Sequence, residues 1–193
     1  MDIKTAIGIT AVIIAIVGYV PYFRDLLAGK TKPHAFSWLI WGVLNAVAFA
    51  GAVHDKGGAG AWSVGLTAVA LFTIFGIALK KGEKDIKPFD WACLIGSGLS
   101  LVLWAITSEP LTAIILITVI DALGFLPTVR KSWRKPHQET LSTFALNTLK
   151  YLLVVLALES YTWVTTLFPL SLVVMNGLFV LMLVMRRRQV DAT

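Results

Sequence analysis

The chain has 193 residues, 57% of them hydrophobic and only 15% charged, with a mean hydropathy of +0.78 and a formal net charge of +6. This composition excludes an ordinary soluble domain, which carries more charge and interrupts its apolar runs more often. The single cysteine, Cys93, excludes an intrachain disulfide and reads as packing within an apolar stretch.

Apolar runs near the roughly 20 residues of a membrane crossing predict helices at about 4–23, 35–53, 61–80, 89–107, 110–129, 139–159 and 163–185. The first run, Ile7 to Val20, leads into Pro21 without a small-residue cleavage site, so it is expected to be a retained helix. Breakers separate the runs: Gly29 and Pro33, Gly57 and Gly58, Gly82 and Pro88, Pro110, and Pro136. Seven crossings with short loops use up the chain and leave no separate soluble domain. The predicted fold class is therefore all-α integral membrane.

The cations fall in alternate loops. Arg24, Lys30 and Lys32 come first, then Lys80, Lys81, Lys84 and Lys87, then Arg130, Lys131, Arg134 and Lys135, and finally Arg186, Arg187 and Arg188. The opposite loops hold only Lys4 and Lys56, and Lys150 lies inside a helix. The positive-inside rule places the basic loops in the cytoplasm and, for seven helices, the N-terminus outside. The expected location is the cell membrane, multi-pass, with a cytoplasmic C-terminus. This bias accounts for the net charge, so anionic lipid headgroups, and no nucleic acid, are the expected partners of the clusters.

The sequence repeats itself. Gly18-Tyr19-Val20-Pro21, Arg24 and Pro33-His34 recur as Gly124-Phe125-Leu126-Pro127, Arg130 and Pro136-His137. Each following helix carries a serine, Ser37 or Ser142, and an asparagine, Asn45 or Asn147. Ala61-Trp62 and Gly76 match Thr162-Trp163 and Gly177. The segments are then a first three-helix repeat over 1–82, an inverting linker helix over 83–108, and a second, parallel repeat over 109–193. Parallel repeats about an axis along the membrane normal mark one class of secondary transporter. In this 3+1+3 layout, the outside N-terminus and the paired prolines, the chain resembles the SWEET and PQ-loop (MtN3-like) superfamily. It departs from the pattern where Tyr22 and Thr128 stand in place of the glutamine after each proline. The resemblance implies that Pro21 and Pro127 act as hinges for alternating access. It also implies that Asp121 resembles the proton-coupling acid of some lysosomal PQ-loop transporters, and that Asn176 matches a substrate-binding asparagine. Phe75 stands where the third helix would carry the asparagine's counterpart.

Two ionisable residues lie in predicted crossings. Asp121 and Lys150 each fall about eleven residues into oppositely directed helices, which puts both at a depth of about 16 Å. Such groups need a partner or a wet cavity. They either pair with each other or serve separately, Asp121 for a proton or cation and Lys150 for an anionic group.

Trp38, Trp41 and Asn45 share one helix face, and Asn147 and Tyr151 mirror it. An aromatic wall with amides suits a polar organic solute, although membrane asparagines also join helices and Trp38 is placed to anchor at the interface. Trp62, Trp91 and Trp163 read as interface belt residues, Trp104 as packing, Trp133 as a loop residue, and His34 and His137 as interface residues. No metal spacing, phosphate loop or hydrolase elbow is present, so neither an enzyme nor a cofactor is expected. A retinal site would need a lysine in the last helix, and none lies between Trp163 and Met185.

Together these features predict a secondary transporter of a small polar solute such as an amino acid, sugar or vitamin precursor, with proton coupling through Asp121. The other reading is a ligand-binding or sorting receptor of KDEL-receptor-like layout. A homo-oligomer is compatible with either.

Overall fold

Seven α-helices follow one another among the described residues: α1 (Ile3–Leu27), α2 (Ala35–His54), α3 (Gly58–Lys81), α4 (Pro88–Ile106), α5 (Pro110–Arg134), α6 (Leu141–Ala157) and α7 (Trp163–Asp191). A short 3-10 turn, Pro136–Gln138, precedes α6. The computed structural model describes residues 3–54, 58–107, 109–158 and 160–192, without the side chains of Thr5 and residues 51–64. Lys56, Gly57 and the Trp62 side chain thus lie outside the described residues.

Local chemistry sets the helix ends. After α1 the chain turns at Gly29, whose φ of +70° suits a residue without a Cβ, and the amides of Lys30 and Thr31 close on the Asp25 carbonyl. Pro88 and Pro110 open α4 and α5, where a missing N–H costs nothing. The Asp90 side chain accepts from the Lys87 amide, and Thr162 caps α7 by accepting from Thr165. Gly82 is needed for close approach: a Cβ there would lie 2.4 Å from the Pro33 carbonyl oxygen.

Among the described residues, four helices are long and apolar enough to cross a membrane: the Ala6–Leu27 stretch of α1, then α4, α5 and α7. Shorter apolar helices fill the gaps between them, Ala35–Ala50 and Leu141–Ala157. Their outer faces are inverted relative to a soluble protein. Ile13, Ile16 and Val20 on α1, Leu99, Val102 and Ile106 on α4, and Leu178 and Leu181 on α7 are all exposed. Such faces are stable against hydrocarbon and unstable against water.

Helix α2 packs against α3 and α5, α1 against α6, α4 against α5, and α7 against both α5 and α6. The core cluster of Tyr22, Leu26, Trp38, Leu71, Ile74, Phe125, Phe144, Phe179 and Leu183 joins six of the seven helices. The loops following α1, α3 and α5 meet at one end of the bundle. There Lys32 N donates to the Gln138 carbonyl and Glu83 N to that of Pro33, while Arg186 and Arg187 reach Trp133 and Pro136 from α7. The four basic segments therefore share one end.

Two details differ from the sequence-based expectation. Helix α5 continues to Arg134, so Trp133 is helical, with the Arg186 guanidinium 4.8 Å from its ring. Helices α1 and α7 likewise run past the last apolar residue into their basic turns. Pro21 and Pro127 lie inside their helices, as the predicted spans have them, and so does Pro169 in α7. A proline there leaves the carbonyl four residues earlier without its helical donor, which weakens the helix at that turn.

Candidate functional site

A cavity of about 230 Å³ occupies the centre of the bundle. All seven helices contribute to it. Its lining reaches from Trp38, Phe125 and Thr143 toward the end where α2 and α4 finish and α5 and α7 begin, at Ala48, Trp104 and Phe168. Pockets for drug-sized ligands run to about 300–1,000 Å³, so this one suits a solute smaller than those.

Most of the polar side chains singled out from sequence meet here. Trp41, Asn45, Asp121, Asn147, Lys150, Tyr151 and Asn176 all line the cavity. The amides of Asn45 and Asn176 donate back to the carbonyls one turn earlier, Trp41 and Leu172, which fixes their rotamers. Asp121 and Lys150 do not pair: among the described residues no ion pair within 4.0 Å joins them. The Lys150 ammonium instead lies 3.8 Å from the centroid of the Tyr151 ring. Asp121 is buried, and its Oδ2 has no hydrogen-bond partner.

Three further cavity-lining residues carry buried, unpartnered polar atoms: Trp38 Nε1, Trp41 Nε1 and Thr143 Oγ1. Buried polar atoms are normally satisfied, so four unpartnered ones on residues that line one cavity set it apart from ordinary packed core. Helix register repeats between the two related segments. Ala15 and Asp121 each stand six residues before their proline, Tyr19 and Phe125 two before, and all four line the cavity. Pro21 and Pro127 fall just beyond it, between the cavity and the basic end.

Comparison with protein-family models, with curated proteins and with solved structures finds no match for this chain.

Toward the basic end the cavity is closed in two layers. The first is aromatic: Tyr22 and Trp38 lie 4.5 Å apart, Trp38 meets Trp41 edge-on at 5.3 Å, and Phe125, Phe144 and Phe179 pack edge-to-face. The second is polar. Thr128 donates to Ser37 across the α2–α5 seam at 2.8 Å, and the Thr31 and Thr140 hydroxyls meet at 2.5 Å. Lys131 and Glu139 form a fully buried ion pair, and Lys131 also donates to the carbonyls of Lys32 and Gln138. Arg130 clamps the buried Asp90 carboxylate through two nitrogens at 2.7 and 2.6 Å. Lys135 holds Glu83 at 2.8 Å.

Outside the spans, these contacts set the charge states. Burial pushes the Glu83 carboxyl up, but Lys135 and the amides of Asp85 and Lys84 outweigh it and hold it below its ordinary value. The hydrogen bond from Lys87 holds exposed Asp85 low as well.

Sequence reasoning missed several of these roles. His34 is fully buried, not an interface residue; Nε2 lies 3.4 Å from Asp90 Oδ2 without hydrogen-bond geometry. Burial, opposed by Asp90, holds its pKa below the ordinary 6.5. Trp38 is a buried core residue rather than a belt anchor. Trp104 and Tyr19 line the cavity, and nothing in their spacing had marked them. Exposed Trp91 and Trp163 at helix starts and exposed His137 fit the surface positions expected of them, and Cys93 is buried packing.

Proposed function

We propose that the protein is a secondary transporter that moves a small polar solute across the cell membrane by alternating access. The carrying observation is the central cavity, lined from all seven helices by Asp121, Lys150, three asparagines and Tyr151 among others, and covered toward the basic end by the two layers described above. In this reading the chain is a SWEET and PQ-loop type protein of 3+1+3 layout, with its N-terminus outside. The equivalent registers of Ala15 and Asp121, and of Tyr19 and Phe125, support that layout, as does the match between the α2–α5 contact and the α1–α6 contact. The basic end then faces the cytoplasm, and the two layers cover the cavity on that side. Pro21 and Pro127, seated between cavity and closure, are the hinges on which the basic end opens. Asp121, with a free carboxylate oxygen in the cavity, is the group that carries the proton.

The test is uptake of labelled amino acids, sugars and nucleosides into proteoliposomes, with proton gradients of either sign. A gradient-dependent flux that Asp121→Asn makes gradient-independent supports the reading. Binding with no flux for any solute would replace it with a receptor that captures its ligand without moving it.

A further inference from the structure

We infer that the solute is zwitterionic, its anionic group held by Lys150 and its cationic group by Asp121. The inference rests on reading the cavity as a solute site and names what that site selects. A carboxyl and an amine, Asp121 on α5 and Lys150 on α6, line one cavity of about 230 Å³ without forming an ion pair. A carboxylate and an ammonium buried in one cavity are costly unless each is satisfied by the other, by water or by a ligand. Their separation is built in. Lys150 is drawn aside over the Tyr151 ring, which holds the ammonium but accepts none of its three N–H donors as an oxygen would.

The other unpartnered atoms fit the same ligand. The indole N–H groups of Trp38 and Trp41, on residues that line the cavity, can only donate and have no acceptor within the protein. Asp121 Oδ2 can accept from an ammonium. Between these poles the wall is apolar: Leu44, Leu71, Phe125 and Phe144 suit an aliphatic or aromatic substituent. A sugar would leave both charges unpaired, and a simple cation or anion would leave one. Because one carboxylate cannot hold a proton and an ammonium at once, solute and proton compete for Asp121. The coupling is therefore exchange, with solute entering as protons leave.

The test uses protein in proteoliposomes for uptake and in detergent for binding, read by the fluorescence of Trp38, Trp41 and Trp104 around the cavity. The probes are L-leucine and glycine betaine as zwitterions, D-glucose and uridine as uncharged solutes, and two analogues of leucine. Isoamylamine lacks the carboxylate and 4-methylpentanoate lacks the amine. A zwitterion is expected to bind and to enter, with each leucine analogue weaker than leucine by at least about tenfold. Lys150→Met should weaken leucine by a similar factor while leaving isoamylamine unchanged. Asp121→Asn should weaken leucine and spare 4-methylpentanoate, so each variant carries its own proof of folding. Uptake of glucose or uridine, with no zwitterion bound, overturns the inference while the transport reading stands. Zwitterion binding without flux does the reverse. No binding and no flux by any probe overturns both.

Discussion

Removing Lys131 tests whether the polar layer at the basic end is a gate. The Lys131 and Glu139 side chains are 1% and 0% exposed, and Glu139 Oε1 already lacks a partner. Taking away the cation leaves a buried, uncompensated carboxylate, which costs about 3–5 kcal/mol. That cost falls on the closed arrangement, because opening the end lets water reach Glu139. At about 1.4 kcal/mol per tenfold, Lys131→Met shifts the closed-to-open balance by roughly a hundred- to a few thousand-fold. Ser132 reports the change: it is fully buried on α5, and its hydroxyl has no hydrogen bond to lose on replacement. In a Cys93→Ala background, Ser132→Cys should react slowly with an impermeant maleimide applied to the basic face. Adding Lys131→Met should raise that rate at least about a hundredfold. The double change Lys131→Met with Glu139→Met should bring it back toward the starting value, since an apolar pair can replace a buried ion pair. A rate changed by less than about twofold, in protein whose melting point has fallen, would refute the gate. The pair would then be a strut of the fold.

Other consequences follow from the same end. Asp90→Asn removes the charge that Arg130 clamps and should cost about 3 kcal/mol, read as a lower melting temperature in detergent. For His34 the sign is set by a folded-state pKa below 6.5: its contribution is complete above that pH and is lost as pH falls through the lower folded value. Melting temperature should therefore drop as pH goes from about 7 to below 6, and His34→Gln should flatten that segment while leaving the carboxylate-driven loss below about 4.5 from Glu83. Pro127→Ala restores a helical donor to the Leu123 carbonyl, so solute flux should slow several-fold with binding little changed, measured by uptake beside fluorescence titration.

The helices were readable because lipid demands apolar runs of one length: each of the seven lies where its run predicts, and four of them are long and apolar enough to cross a membrane among the described residues. Where the boundaries slipped, the cause is uniform. Counting apolar residues stops at the first charge, while backbone hydrogen bonding carries α5 through Arg130, Lys131 and Arg134. Depth was readable too, since residues counted from each helix end brought Asp121 and Lys150 to one level, and they line one cavity. What sequence could not supply was rotation and rotamer. Whether Lys150 turns to Asp121 or to Tyr151 is decided by angles that no spacing encodes, and the structure gives Tyr151. The burial of His34 and of the Lys131–Glu139 pair depends on three loops folding over one another, contacts between residues far apart in the chain.

In the proposed transporter, divergence between the two related segments makes a near-symmetric frame one-sided. Six residues before each proline the frame aims a side chain into the cavity; the first copy places Ala15 there and the second Asp121. The cavity thus gains one carboxylate, not two repelling ones, and its polarity has a direction. Four residues after each proline the copies carry opposite charges, Asp25 and Lys131. Each reaches across to the other copy's loop: Asp25 accepts from Thr140, and Lys131 donates to the Lys32 carbonyl. Neither half can close the basic end alone, because each supplies the partner the other needs. In the proposed transporter, opening of the basic end releases both contacts together.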